Sequence, residues 1–173
     1  MKRNLAVVAA LMIGMVLGAA GMAAYYGPIA EITAQVVGRS GGGGPGGQPG
    51  MNGTISLHVG QLVAGQHYSF DDVEGYTWMN TGSGGDFDIV LNHNITAFDY
   101  VRVKVEISGS SEHGNGSESD VYYEFYLDTN NPSYTVSLPA GMTVEIEISL
   151  EEISVSADAS PGNYVITIDL FGP

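Results

Sequence analysis

Residues 28–37 read PIAEITAQVV. Alternate residues of this segment share one side of an extended chain: the apolar side carries Ala30, Ile32, Ala34 and Val36, and the polar side carries Glu31, Thr33 and Gln35. This two-residue period predicts a β-strand with one buried face. Such a strand must join a sheet, and residues 51–173 are the part of the chain that can supply one.

A glycine-rich tether, residues 38–50, follows the strand. Residues 39–50 can extend to about 40 Å, whereas a body of the size of residues 51–173 is roughly 35 Å across. The strand, residues 25–37, is therefore predicted to reach a neighbouring subunit and complete its sheet, with main-chain hydrogen bonds and alternate side chains providing the contact. Two alternatives stay open: the strand pairs with its own body, or the tether is only a spacer.

The body, residues 51–173, contains short alternating segments separated by turn residues, which predicts an all-β fold. We expect a single antiparallel β-sandwich of jelly-roll-like type. The predicted strands are residues 54–59, 66–70, 76–79, 86–91, 100–108, 121–127, 134–138, 143–150, 153–157 and 164–170.

Three of these strands show the alternation clearly: residues 100–108, 121–127 and 143–150. The inward side of residues 100–108 carries Val101, Val103, Val105 and Ile107. Val121 and Phe125 share the inward side of residues 121–127, so Tyr122 and Tyr126 point outward. With Trp78, these tyrosines are candidates for a sugar-binding or contact face. Trp78 is alternatively a core residue.

Residues 1–24 combine Lys2 and Arg3 with a long apolar segment and a small-residue end, which is typical of an export signal. An uncleaved membrane anchor is the alternative, because about 20 apolar residues can span a bilayer. Either interpretation predicts an extracellular location at the cell surface. Glycosylation sequons at Asn52, Asn94 and Asn115 fit such a surface.

The composition argues against several functions. The chain has 19 acidic residues against 5 lysines and arginines, which argues against nucleic-acid binding. It contains no cysteine, which excludes disulfides and thiol catalysis. A Gly-x-Ser-x-Gly match at residues 38–42 lies in the tether without the strand and helix that a hydrolase needs. We therefore expect no enzyme and no required cofactor.

Calcium is the one ligand for which the sequence offers oxygen donors. The acidic residues grouped in predicted loops and strand ends are Asp71, Asp72, Glu74, Asp86 and Asp88. Acidic turns that only keep the protein soluble explain the same pattern. Calcium binding is thus a hypothesis rather than an assignment.

The C-terminal half carries a family resemblance. Residues 134–148, YTVSLPAGMTVEIEI, followed by residues 159–168, ASPGNYVITI, resemble the closing strands of archaeal bundling pilins and their bacterial TasA-like relatives. This resemblance implies a jelly-roll subunit, an N-terminal donor strand and a homopolymeric filament of a pilus or biofilm matrix. The alternative function is a membrane-tethered domain that binds surface glycans or mediates adhesion.

Overall fold

The computed structural model describes residues 24–37, 53–92, 95–112 and 118–173. These residues form ten strands and no helix, so no described segment is a helix able to cross a membrane. The strands are β1 (Ala24–Val37), β2 (Ile55–Val63), β3 (His67–Ser69), β4 (Glu74–Asn80), β5 (Gly85–Asn92), β6 (Phe98–Glu112), β7 (Glu118–Asp128), β8 (Ser133–Leu138), β9 (Thr143–Val155) and β10 (Gly162–Gly172). Residues 1–23 of the predicted leader lie outside the described residues, and its last residue, Ala24, is the first residue of β1.

The strands form two sheets, and the all-β sandwich prediction is confirmed. Sheet A has the order β2-β1-β10-β5-β8, and sheet B has the order β3-β9-β6-β7, with β4 also paired to β9. Alternate side chains of both sheets face each other, and each fully buried aliphatic side chain contributes about 1.5–3 kcal/mol. The largest fully buried side chains are Ile32, Ile55, Leu57, Leu62, Ile89, Leu91, Ile107, Leu127, Met142, Ile146, Ile148 and Leu150.

The N-terminal strand β1 lies inside sheet A, between β2 and β10 of the same chain. It runs parallel to β2 and antiparallel to β10, and Ile32 lies between Leu57 and Ile166. The predicted inward set is buried, with exposed fractions of 4% or less: Ala30, Ile32, Ala34 and Val36. β1 is therefore a central strand, and in this structure it completes its own sheet.

Proline in a central strand needs a local irregularity, because it cannot donate a ladder hydrogen bond. The pairing of β1 with β10 shifts between Pro28 and Ala30, so Ile29 is an extra residue at that point. The carbonyl of Pro28 accepts a hydrogen bond from Thr54 Oγ1 at 3.1 Å. The beginning of β1 is thereby held beside the beginning of β2.

The parallel pairing fixes what the connection from β1 to β2 must span. Ala30 pairs with Ile55 and Val37 pairs with Val63, so the chain must return along this length of β1. Seven residues of strand measure about 23 Å, whereas the fifteen residues 38–52 can extend to about 50 Å. The connection is long enough for pairing within one chain, with length to spare.

The two strands predicted at residues 143–150 and 153–157 are one strand, β9. Val103 pairs with Leu150 and Arg102 pairs with Glu152, which leaves Glu151 as a bulge residue. A bulge adds one residue to one strand and interrupts the inward-outward alternation. Buried Leu150 and buried Ile153 are consequently three residues apart. This break in the two-residue period explains why the sequence predicts two strands where the structure has one.

Strand β4 reverses the usual distribution of large and small side chains. Gly75 and Thr77 face the core, whereas Tyr76 and Trp78 face outward. A Cβ atom on Gly75 would lie 2.5 Å from Ile55 Cγ2, so sheet A approaches too closely for any side chain there. The two aromatic residues of β4 are thus held on the outer face of sheet B.

Candidate functional site

The outer face of sheet B displays four large aromatic side chains at its two sides. Tyr76 and Trp78 lie on β4, with exposed fractions of 50% and 60%. Tyr122 and Tyr126 lie on β7, with exposed fractions of 62% and 41%. The sequence left Trp78 as either a core or a contact residue, and the structure places it on this surface together with both tyrosines of the candidate contact face.

Cross-strand pairing arranges this surface as three rows that run from β4 through β9 and β6 to β7. Because neighbouring strands are about 4.8 Å apart, each row is roughly 14 Å long. The rows are Trp78-Glu145-Ser108-Tyr122, Tyr76-Glu147-Glu106-Glu124 and Glu74-Ser149-Lys104-Tyr126. We call these twelve residues the aromatic-acidic face.

The β4 side of the face ends in a compact aromatic pair. The ring centroids of Tyr76 and Trp78 are 5.0 Å apart, and the rings meet edge to face at 77°. This geometry is favourable for aromatic pairs and fixes both rings. The pair therefore offers a rigid apolar surface to a ligand at low cost in side-chain entropy.

The β7 side is joined to β6 by polar contacts. Tyr122 Oη lies 2.9 Å from a carboxylate oxygen of Glu124 and 3.3 Å from one of Glu106, and its hydroxyl donates to them. The hydrogen bond to Glu124 is the main cause that raises the pKa of Tyr122 to about 12. Beside this group, the Arg102 guanidinium lies 4.3 Å from the centre of the Tyr126 ring, a cation–π contact.

Lys104 is the cation of the aromatic-acidic face, and it is held on the β6–β7 side. Its ammonium forms ion pairs with Glu106 and with Glu124, the latter at 3.6 Å. The hydrogen bond to Glu106 raises the pKa of Lys104 above its usual range. The positive charge of Lys104 is thus already compensated by two carboxylates.

The two carboxylates of β9 that lie on this face, Glu145 and Glu147, lack such a partner. Among the described residues, neither Glu145 nor Glu147 forms an ion pair. The pKa of Glu147 is raised, first by partial burial and then by the negative charges of Glu74, Glu106 and Glu145. The middle of the aromatic-acidic face therefore has a local excess of negative charge.

This crowding predicts a pH-dependent gain in stability from the Glu147→Gln variant. A carboxyl whose pKa is higher in the folded than in the unfolded state favours folding when protonated, and this contribution is lost as the pH rises through the folded-state pKa. Glu147→Gln should therefore raise the melting temperature at neutral pH and give little gain below the ordinary titration range of glutamate. Melting curves across this pH range check the result. An equal gain at every pH would mean that charge is not the cause.

The acidic residues considered for calcium divide between the two sheets. Asp71, Asp72 and Glu74 lie just before or at the start of β4, whereas Asp86 and Asp88 lie on β5 of sheet A. Asp88 accepts a hydrogen bond from the Thr135 hydroxyl. Within the described ranges, no three histidine or acidic residues form a group that could hold a metal ion. Calcium binding stays a prediction, and the structure gives Glu74 a place on the aromatic-acidic face.

Other residues predicted from the sequence fall in segments that the structure does not describe or take no part in the aromatic-acidic face. Asn52, Asn94 and Asn115 lie outside the described residues. The inward set of β1, proposed to bind a neighbouring subunit, is buried in the core of its own chain. Its role in exchange between subunits stays a prediction.

A cleft on the outer face of sheet A was not predicted. Thr33 pairs with His58 and Gln35 pairs with Gln61, so β2 has an extra residue here, and Gly60 adopts a φ of +69°. The resulting cleft measures about 410 Å³ and is lined by both polar and apolar side chains, among them Asn163 and Val165. A glycine within an alternating strand was the signal that could have indicated this bulge.

Comparisons with known proteins identify no family. No protein-family model matches the chain, and no curated protein matches it. One similar solved structure is a carbohydrate-binding module of the β-sandwich superfamily, with 10% identity and a TM-score of 0.24, covering 58% of this chain and 40% of that one. Another is the CBM36-1 domain of a multidomain xylanase from the hindgut metagenome of Trinervitermes trinervoides, with 16% identity and a TM-score of 0.27, covering 83% of this chain and 97% of that one.

Proposed function

We propose that the protein is an exported β-sandwich domain at the cell surface that binds glycans through its aromatic-acidic face and has no catalytic role. The observation that carries this proposal is the exposed Tyr76–Trp78 pair at the side of an open sheet. Large aromatic side chains combine an apolar ring with a polar tip and are common in contact surfaces. The apolar side of a sugar ring can pack on such a surface while neighbouring carboxylates accept hydrogen bonds from its hydroxyls.

The double variant Tyr76→Ala/Trp78→Ala is expected to lose glycan binding without losing the fold. Central aromatic contacts are worth about 2 kcal/mol or more, which corresponds to a loss of affinity of roughly 30-fold. Binding to a glycan microarray, followed by titration with the strongest glycan, measures this loss. The melting temperature should change little, because both rings are largely exposed.

Tyr25→Ala provides the matched control for this experiment. Tyr25 is exposed to a similar degree, but it lies on β1 of sheet A and contacts Phe171. The Tyr25→Ala variant should therefore bind the glycan as the wild type does. Full binding by the double variant, or an equal loss in Tyr25→Ala, would refute the assignment to this face.

A second candidate function is the filament subunit, and the position of β1 favours it. β1 fills a slot between β2 and β10, and the glycine-rich residues 38–50 separate it from the body. In a homopolymer, β1 of one subunit would occupy the same slot in the next subunit and keep the same buried contacts. Electron microscopy of the exported protein tests for such polymers and shows whether each filament associates with neighbouring filaments.

A further inference from the structure

The aromatic-acidic face carries much more negative than positive charge. Its three rows contain the carboxylates of Glu74, Glu106, Glu124, Glu145 and Glu147 and the single ammonium of Lys104. Lys104 is paired with Glu106 and Glu124 on the β6–β7 side. Glu74, Glu145 and Glu147 are left without an ion pair among the described residues. The carboxylates without an ion pair therefore lie on the β4–β9 side of the face, next to the aromatic pair, where a ligand bound to that pair would contact them.

The middle row places three carboxylates directly beside one another. Glu147 pairs with Glu106, and Glu106 pairs with Glu124. Like charges directly opposite each other on a sheet are destabilising. A local conflict of this kind is typical of positions that serve binding rather than stability. Lys104 already compensates Glu106 and Glu124, so a ligand with positive charge would relieve the repulsion chiefly at Glu147.

We infer that the glycan bound by the aromatic-acidic face is an amino-sugar polymer with free, protonated amino groups. This inference rests on the proposed glycan-binding function and specifies its ligand class. Ammonium groups would form charge-assisted hydrogen bonds with the carboxylates of β9 and β4. Successive carboxylates of the middle row are spaced by the strand separation of about 4.8 Å, so one extended chain lying along the row would pass all three. The Tyr76–Trp78 pair would contact the apolar side of a terminal sugar ring.

Three hexasaccharides of the same linkage separate charge from sugar recognition. They are the β-1,4-linked hexamers of glucosamine, N-acetylglucosamine and glucose, each titrated into the full domain by calorimetry. The glucosamine hexamer should bind at least about tenfold more tightly than the other two, and high salt should reduce this preference because it screens exposed charges. Equal binding of the N-acetylated hexamer would overturn the inference while leaving the glycan-binding function in place.

Two double variants each remove two negative charges, one from the aromatic-acidic face and the other from sheet A. Glu145→Gln/Glu147→Gln should lose most of the preference for the glucosamine hexamer, and its melting temperature shows whether it is folded. Glu31→Gln/Asp86→Asn removes two carboxylates from sheet A and should bind as the wild type does. An equal loss in both pairs, or undiminished glucosamine binding by Tyr76→Ala/Trp78→Ala, would show attraction by net charge alone and refute the inference. Failure of the wild type to bind any glycan would refute the proposed function as well.

Discussion

Replacing Ile32 with aspartate is expected to unfold the domain. Ile32 is completely buried at the centre of sheet A, between Leu57 and Ile166. The change removes about 1.5–3 kcal/mol of apolar burial and places a carboxylate where the neighbouring side chains offer no partner, which costs several kcal/mol more. Domains of this kind have a total stability of about 5–15 kcal/mol. Circular dichroism should therefore show no cooperative melting transition at room temperature and above.

Gln35→Asp is the control for this prediction, because it adds the same group to the outer side of the same strand. Gln35 is exposed, and its Oε1 accepts a hydrogen bond from Gln61 Nε2 at 3.0 Å. Loss of that contact should cost at most about 1 kcal/mol. If Ile32→Asp melted within a few degrees of the wild type, β1 would not belong to the folded domain in solution.

The sequence predicts the faces of strands well wherever two conditions hold: one face is apolar, and the alternation is unbroken. The inward sets of β1, β6 and β7 follow directly from a two-residue period, because burial of one face is the force that forms the strand. The same period predicts that Tyr122 and Tyr126 lie on the outer face, as they do in the structure. The approximate limits of most strands follow from the turn residues between them.

Features that depend on distant partners were not predictable from the sequence. Alternation in β1 has no direction, so the parallel pairing with β2 and antiparallel pairing with β10 could not be read from it. The outward position of Trp78 depends on Gly75 and on the close approach of Ile55 from the other sheet. The row of Glu147, Glu106 and Glu124 depends on the register of three strands. Local patterns contain no information about register between segments far apart in the chain.

Removal of residues 1–37 is expected to abolish the folded state of the isolated body. Without β1, sheet A would be open between β2 and β10, and backbone groups on both strands would lose their partners. The core would also lose the inward side chains of β1, of which Ile32 and Val36 are the largest on the alternating face. Far-ultraviolet circular dichroism and thermal melting of residues 38–173 test this expectation. A cooperative transition like that of the full chain would show that β1 is dispensable.

A separate peptide of residues 25–37 should restore the fold, because it supplies the same strand to the same slot. Rescue should saturate with peptide concentration, since a ligand that binds only the folded state stabilises it by mass action. The Ile32→Asp peptide should fail, and the Gln35→Asp peptide should work.

The full chain distinguishes completion of sheet A by its own β1 from completion by the β1 of another subunit. Pairing within one chain makes the melting temperature independent of protein concentration, whereas exchange between subunits makes it rise with concentration and produces polymers. A concentration-independent monomer would therefore refute the filament function while leaving the glycan-binding face intact.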